Sequence, residues 1–206
     1  IQYAHDLTIR YCGSKNFMEV YYNEIERVNI DEIFEKVRIS IKNFLNSERF
    51  NWLSQQVITN KKNWLIEPPG YGETRINGMK GYCKVDFLFP MEENIFILDW
   101  KTGKPHEVKH KKQLIGYTSW ACFHFNKNSK NIVPIIAYLY PDYNEKIVQC
   151  DENDIKYFSQ LVRNETDEMY SFCSNVNENI PLEKNVFTVT KNKIICNYCN
   201  YKELCK

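Results

Sequence analysis

Three polar residues in the middle of the chain are of the types that hydrolyse phosphate esters. "NIFILDWK" reads as a strand in which Phe96, Leu98 and Trp100 share one side, and Ile95, Ile97, Asp99 and Lys101 the other. Asp99 and Lys101 therefore project together from the end of an otherwise apolar strand. Upstream, "GYCKVDFLFP" reads as another strand, with Cys83, Val85, Phe87 and Phe89 on an apolar face and Tyr82, Lys84, Asp86 and Leu88 opposite. A turn through "PMEEN" would pair the two strands and bring Asp86 toward Asp99. Two carboxylates held close repel each other, and a hard divalent cation such as Mg²⁺ removes that penalty. It can polarise a phosphate oxygen and form hydroxide at neutral pH. A lysine two residues on can orient the attacking water or offset charge in the transition state. The plain alternative for any Asp-x-Lys triplet is a solvated strand end. The apolar strand before it and a second polar pair after it favour the chemical reading.

That second pair lies in "KHKKQLIGYTSWACFHF". Gln113 and Tyr117 are four apart on a helix, hence on one face, which Trp120 and His124 continue. Gln and Tyr suit the holding of a phosphate oxygen and a sugar or base; a core Tyr beside a surface Gln is the alternative. Between strand and helix, Lys101 to Lys112 holds five Lys against one Glu, with His106 and His110 added. This run could track a phosphate backbone, or be a solvated loop. Trp100, Tyr117 and Trp120 could stack on bases, although most aromatic residues must be core.

The last eleven residues include Cys196, Cys199 and Cys205, spaced C-x2-C-x5-C. Three thiolates this dense can wrap one face of a metal centre. Cys12 is the best candidate for a fourth ligand, because chain ends commonly meet at the surface of a domain. Four thiolates suit an iron–sulfur cluster or a structural Zn²⁺, and the site would clasp the termini together. Unliganded cysteines near a frayed end are the alternative. Cys83, Cys122, Cys150 and Cys173 sit in apolar stretches and read as small core residues.

The elements that must position these groups read as follows. Residues 1–58 are mostly helical, including an amphipathic helix through Ile30, Ile33, Phe34, Val37, Ile41, Phe44 and Leu45 capped by Asp31, and a shorter one from Trp52 to Ile58. Strands follow at "NWLIE", "GYCKVDFLFP" and "NIFILDWK", with Pro68, Pro69 and Gly70 as punctuation. A helix spans 109–126, and "IVPIIAYLY" and "EKIVQC" form a strand pair. A long helix runs from Asp151 to Cys173 with Ile155, Phe158, Leu161, Val162, Met169 and Phe172 inward. Residues 174–193 are loop apart from a short strand "VFTV". The order predicts an α/β domain with a mixed sheet flanked by helices.

Composition constrains the function classes. The 206 residues carry 27 basic and 26 acidic side chains, a net +1, so there is no global commitment to a polyanion. A 43% hydrophobic, 26% charged composition excludes wholesale disorder. No apolar run approaches the roughly 20 residues a membrane helix needs. "IQYAHDLTIRYC" lacks the apolar centre of a secretory leader, and the cysteines read as reduced thiols of a cytoplasmic protein.

Together, Asp86 in "GYCKVDFLF", Asp99 and Lys101 in "ILDWKTGK", Gln113 and Tyr117 in "QLIGY", and Cys12, Cys196, Cys199 and Cys205 resemble the PD-(D/E)xK nuclease superfamily. The resemblance is to its RecB-like branch bearing an iron–sulfur cluster, which includes CRISPR-associated adaptation nucleases and nuclease domains of helicase–nucleases. It spans nearly the whole chain and implies a single domain over 1–206 with a restriction-endonuclease-like core. Within it, 1–58 would be the N-terminal helical part, 59–173 the nuclease core and 174–206 the cysteine segment. It implies Mg²⁺ or Mn²⁺ held by Asp86, Asp99 and the Trp100 carbonyl, with Lys101 assisting the water and Gln113 and Tyr117 supporting the site or DNA. It implies a [4Fe–4S] cluster on the four cysteines, with zinc the alternative, and cleavage of DNA, often from single strands or ends, in company with a helicase or other DNA-processing protein. Several relatives carry a further His or acidic group near the N-terminus; here no His lies between His5 and His106, leaving Glu35 or Glu67. The rival readings are a non-catalytic DNA-end-binding module and a zinc-stabilised interaction domain.

Overall fold

A computed structural model describes every residue except 16, 69–71, 77 and 206; of residues 57–60 and 205 only the backbone is described. Pro69 and Gly70 of the expected turn, and the Cys205 thiol, therefore lie outside the described residues. In chain order the helices are α1 (Gln2–Cys12), α2 (Met18–Tyr21), α3 (Ile30–Leu45), α4 (Glu48–Asn60), α5 (Glu107–Phe125), α6 (Glu152–Ser171) and α7 (Lys193–Cys196). The strands are β1 (Leu65–Ile66), β2 (Gly72–Ile76), β3 (Met79–Cys83), β4 (Phe87–Met91), β5 (Asn94–Lys101), β6 (Ile132–Tyr138), β7 (Asn144–Ile147), β8 (Cys173–Asn175) and β9 (Ile180–Pro181). The chain divides into two compact units, one of residues 1–11 and 29–161, the other of residues 12–28 and 162–206.

The first unit is a mixed sheet in the order β1-β4-β5-β6-β7. β4 runs antiparallel to both of its neighbours, β1 and β5, β5 and β6 are parallel, and β7 returns antiparallel to β6. Joining parallel neighbours requires a crossover, which α5 supplies. Both faces of the sheet are covered. On one, Val85, Leu88, Ile95 and Ile97 meet Trp120 and Ala121 of α5. On the other, Phe87, Phe89, Leu98 and Ile135 meet Leu53 of α4, with Phe44 and Trp52 beside them. This double burial explains the near-continuous apolar run of β5. Asp99 and Lys101 occupy the α5 side, and Trp100 packs on the other, its ring edge-on to Phe44 at 4.9 Å.

Local chemistry sets the boundaries. Asn29, rather than Asp31, caps α3, accepting from the Glu32 amide at 3.1 Å; Asp31 instead lies in the first turn, where a carboxylate complements the helix dipole. Ser47 caps α4 through the Phe50 amide. α5 begins at an unusual cap, the His106 imidazole, and ends at Asn126 in the left-handed conformation (φ +50°). Asn43 of α3 donates to the carbonyls of Leu139 and Pro141, and Arg49 of α4 makes a bidentate ion pair with Glu145 of β7. The α3–α4 layer is thus tied to the β6–β7 end of the sheet. Among the described residues no helix is long and apolar enough to cross a membrane.

Several expectations are corrected. "GYCKVDFLFP" is not one strand: β3 ends at Cys83, β4 starts at Phe87, and Asp86 sits in the break. Val85 consequently joins the Leu88 side of the core, not the Phe87–Phe89 side. "NWLIE" contracts to two strand residues. Residues 72–76 pair with 79–83 as a β2–β3 hairpin, whose first strand the sequence pattern did not reveal. Met169 and Phe172 are 68% and 47% exposed, so the end of α6 has no buried stripe. "VFTV" is not a strand; the second unit instead carries the β8–β9 hairpin. Cys122, Cys150 and Cys173 are only half-buried, unlike Cys83.

The β2–β3 hairpin is held onto α5 at Gly72. Its carbonyl accepts from the Trp120 indole at 3.1 Å, and a Cβ there would overlap the indole ring. Gly72→Ala is expected to destabilise the protein by about 1–3 kcal/mol through overpacking. Urea denaturation checks this, and a loss within error of zero would show that the hairpin is not seated on Trp120.

Candidate functional site

The site forms where the β4–β5 ladder stops. Phe87 pairs with Leu98, and continued pairing would set Val85 opposite Trp100. The chain leaves the ladder instead, and the Asp86 carboxylate takes the Trp100 amide at 2.9 Å. Backbone groups alternate sides along a strand. The Lys101 carbonyl faces β6, where it accepts from the Leu139 amide at 2.7 Å. The Trp100 amide and carbonyl therefore face the Asp86 side. Asp86 is also gripped from β1, its own carbonyl accepting from the Glu67 amide at 3.0 Å. Glu67 adopts a left-handed conformation (φ +37°) to reach it, a strained choice for a non-glycine residue.

Asp99 is 1% exposed. Its Oδ1 accepts from Gln113 Nε2 at 3.1 Å, and the same amide nitrogen lies 2.8 Å from the Tyr117 hydroxyl. Its Oδ2 is in direct ionic contact with the Lys101 ammonium. Burial raises the Asp99 pKa above the usual carboxylate range; Lys101 opposes the rise, and the charge of Asp86 adds to it. Burial also pushes the Tyr117 phenol up to about 12, against the Gln113 bond and with help from both carboxylates, so Tyr117 is neutral at physiological pH. The structure thus brings Asp86, Asp99, Lys101, Gln113 and Tyr117 to one place. Glu35 is elsewhere, on the exposed face of α3 in an ion pair with Arg38.

The sequence model of the PD-(D/E)XK nuclease superfamily matches residues 24–206. The chain belongs to that superfamily. No curated protein matches the sequence at a significant level. Among solved structures, SSO0001 is similar over 96% of this chain and 79% of its own, at 15% identity and a TM-score of 0.43. A putative exonuclease from Eubacterium rectale is similar over 91% and 79%, at 13% identity and a TM-score of 0.41.

The superfamily's chemistry calls for a divalent cation, and the oxygen donors fit one. A buried carboxylate, a second carboxylate close enough to raise its pKa, and a carbonyl facing the same side form a hard, anionic donor set. Among the described residues no three His, Cys, Asp or Glu side chains gather as a ligand group. The expected clasp of the termini by four thiolates is therefore not seen. Within the second unit, Cys12 is buried, Cys196 and Cys199 are half-buried, and Cys205 is outside the described side chains. The Tyr22 hydroxyl, in the segment after Cys12, donates to the Asn200 carbonyl at 3.2 Å, and the Lys202 ammonium lies 3.8 Å from the centroid of its ring.

His110 and Tyr138 add a pairing that spacing alone leaves inside the basic run and the β6 core. His110 Nδ1 lies 2.9 Å from the Tyr138 hydroxyl, and Tyr138 is the β6 register partner of Lys101. A signal existed: His110 is one helical turn before Gln113, on the stripe that leads to Tyr117.

Proposed function

We propose that this protein is a divalent-metal-dependent DNA nuclease that removes nucleotides from single strands or ends. The observation that carries the reading is the Asp99 carboxylate: buried, in direct contact with the Lys101 ammonium, and close enough to Asp86 to feel its charge. Nothing about packing requires such a group, because an apolar residue would satisfy the same pocket at lower cost. Asp86, Asp99 and the Trp100 carbonyl hold the Mg²⁺ or Mn²⁺. The bound ion supplies Lewis acidity toward a phosphate oxygen and acidifies water. Lys101 orients the attacking water and offsets negative charge as the phosphorus becomes five-coordinate. Gln113 fixes the Asp99 rotamer, and neutral Tyr117 backs Gln113. Of the two acidic candidates for a further site group, Glu67 is favoured, since its backbone is bonded to that of Asp86.

Cys12, Cys196, Cys199 and Cys205 hold a [4Fe–4S] cluster, with zinc the alternative. What supports this is that one compact unit contains both Cys12 and the terminal triplet. With a net charge of only +1, hold on DNA depends on local groups and on a helicase or other DNA-processing partner.

One preparation tests both parts. Linear DNA is expected to be degraded in Mg²⁺ or Mn²⁺, closed circular duplex spared, and EDTA to stop the reaction. Cleavage that survives EDTA removes the metal from the mechanism; nicking of the circle removes the exonuclease assignment. DNA-end binding without any cleavage identifies a non-catalytic module. Brown, iron-containing protein supports the cluster, and Cys199→Ser should bleach it; colourless protein with stoichiometric zinc selects the alternative.

A further inference from the structure

The polar stripe of α5 does not end at Asp99. Residues 110, 113 and 117 share one helical face, and His110 carries the stripe over the end of β6. Tyr138, 4% exposed, stands beside Lys101 on the neighbouring strand, where register partners point to the same face. Lys101, Tyr138 and His110 thus form a row leading away from the carboxylates.

The hydrogen bonds assign the state of His110. Its Nδ1 meets the His106 backbone amide at 3.4 Å and the Tyr138 hydroxyl at 2.9 Å. A backbone amide can only donate, so Nδ1 is the bare nitrogen, the phenol donates to it as well, and the ring hydrogen is on Nε2. Burial, joined by the charges of Lys101, His106 and Lys109, lowers the His110 pKa, so this neutral tautomer persists at pH 7. The His106 imidazole in turn accepts the Lys109 amide at 3.3 Å. The two imidazoles make a reciprocal cap that fixes the His110 ring.

His110 and Tyr138 line a cleft of about 450 Å³ between the first turns of α5 and strands β6 and β7, together with Glu107, Lys111, Lys146 and Gln149. Two lysines face one glutamate there, at the positive end of a 19-residue helix. Lys146 is held by Glu107 at 2.5 Å and Lys111 by Asp154 at 3.7 Å. Both pairs are at the surface, and such pairs exchange readily for a better anion.

We propose that this cleft is the subsite for the phosphate next to the one being cleaved: His110 Nε2–H donates to a non-bridging oxygen, and Lys146 and Lys111 supply the counter-charge. The proposal rests on the phosphodiesterase reading of Asp86, Asp99 and Lys101. Such a subsite takes a strand of at least two phosphates, one at the carboxylates and the next at His110. Tyr138 acts as a positioning residue, holding the tautomer that leaves Nε2–H free to donate.

The test uses single-stranded oligonucleotides in which one phosphate at a time, on either side of the first scissile position, is replaced by neutral methylphosphonate. On the wild-type protein one of the two replacements is expected to raise KM about tenfold, with kcat within about twofold. His110→Ala and Lys146→Ala should raise KM similarly on the natural strand, and the methylphosphonate should then cost His110→Ala nothing further. An undiminished methylphosphonate penalty in His110→Ala, or wild-type KM in both variants, overturns the subsite. Lys146 is at the surface, so its variant reads the cleft even if His110→Ala loses the α5 cap and unfolds. Equilibrium binding of the same strands to Asp99→Asn protein in EDTA separates the two readings. Affinity that falls about tenfold with Lys146→Ala supports the subsite even if no cleavage is ever seen, and equal affinity overturns it.

Discussion

Asp99→Asn is expected to lower metal-dependent cleavage at least about a thousandfold and, in EDTA, to raise stability by about 1 kcal/mol. The two effects share one cause. Asp99 is 1% exposed, and burial has raised its pKa against the opposing pull of Lys101. A carboxyl raised in the folded state stabilises the protein fully below its unfolded pKa, and loses that contribution as pH rises through the folded value. The ionised form at neutral pH is therefore a cost that the metal-free fold carries. Asparagine keeps an oxygen for Gln113 and removes the charge. The gain should thus be small near pH 4, grow as pH rises from there to the raised Asp99 pKa, and level off above it. Single-turnover cleavage and thermal melts across pH in EDTA measure both. An Asn variant that still cleaves removes Asp99 from the chemistry. One that cleaves poorly and is also less stable at pH 8 shows that the carboxylate serves the fold.

The contrast between what the sequence reveals of this site and what it hides follows from how the site is built. β5 was readable because a strand alternates strictly, so Asp99 and Lys101 could be assigned to one side and Trp100 to the other. Gln113 and Tyr117 followed from a four-residue helical spacing. Asp86 was readable by type but not by setting. The pattern "GYCKVDFLFP" alternates without interruption, yet the backbone leaves the ladder at Lys84–Asp86 because a carboxylate, rather than a neighbouring strand, takes the Trp100 amide. Alternation records side-chain polarity and is blind to such an exchange of hydrogen-bond partner.

The His106–His110 cap was invisible for a related reason. Histidine is not among the residues that ordinarily cap helices, and its role here depends on tautomers that spacing does not encode. The β2–β3 hairpin was hidden because its first strand, which opens at Gly72 and precedes Gly78, follows the Pro68–Gly70 punctuation and carries no strand pattern. At Gly72, however, the missing side chain is what lets the strand lie against Trp120. The outward-facing end of α6 failed as a prediction because apolar spacing shows which face could be buried, not whether anything covers it; Met169 and Phe172 keep the spacing and remain exposed.

Lys101→Met should separate the electrostatic role of the lysine from its packing. Methionine keeps the length and apolar stem and deletes the ammonium, the sole cation in direct contact with Asp99 among the described ion pairs. The deletion is expected to lower cleavage about a hundredfold, the scale of losing one charge-stabilising donor in an enzyme site. In EDTA at pH 8 it should also destabilise the fold by about 2 kcal/mol, less than breaking a fully buried pair because Lys101 is 20% exposed. The cost is self-limiting: without Lys101, Asp99 takes up a proton more readily, so the loss should shrink as pH falls. Asp99→Asn in the same chain should recover most of it, more than its gain of about 1 kcal/mol alone, giving a coupling of up to about 1 kcal/mol in a double-mutant cycle. Additive effects would mean that Lys101 and Asp99 do not sense each other's charge, and the contact between them would then be no more than proximity at a strand end. Saturating Mg²⁺ or Mn²⁺ should also offset the destabilisation of Lys101→Met, because a cation bound to N and not to U stabilises the fold by mass action. It should do nothing for Asp99→Asn/Lys101→Met, which no longer presents the carboxylate.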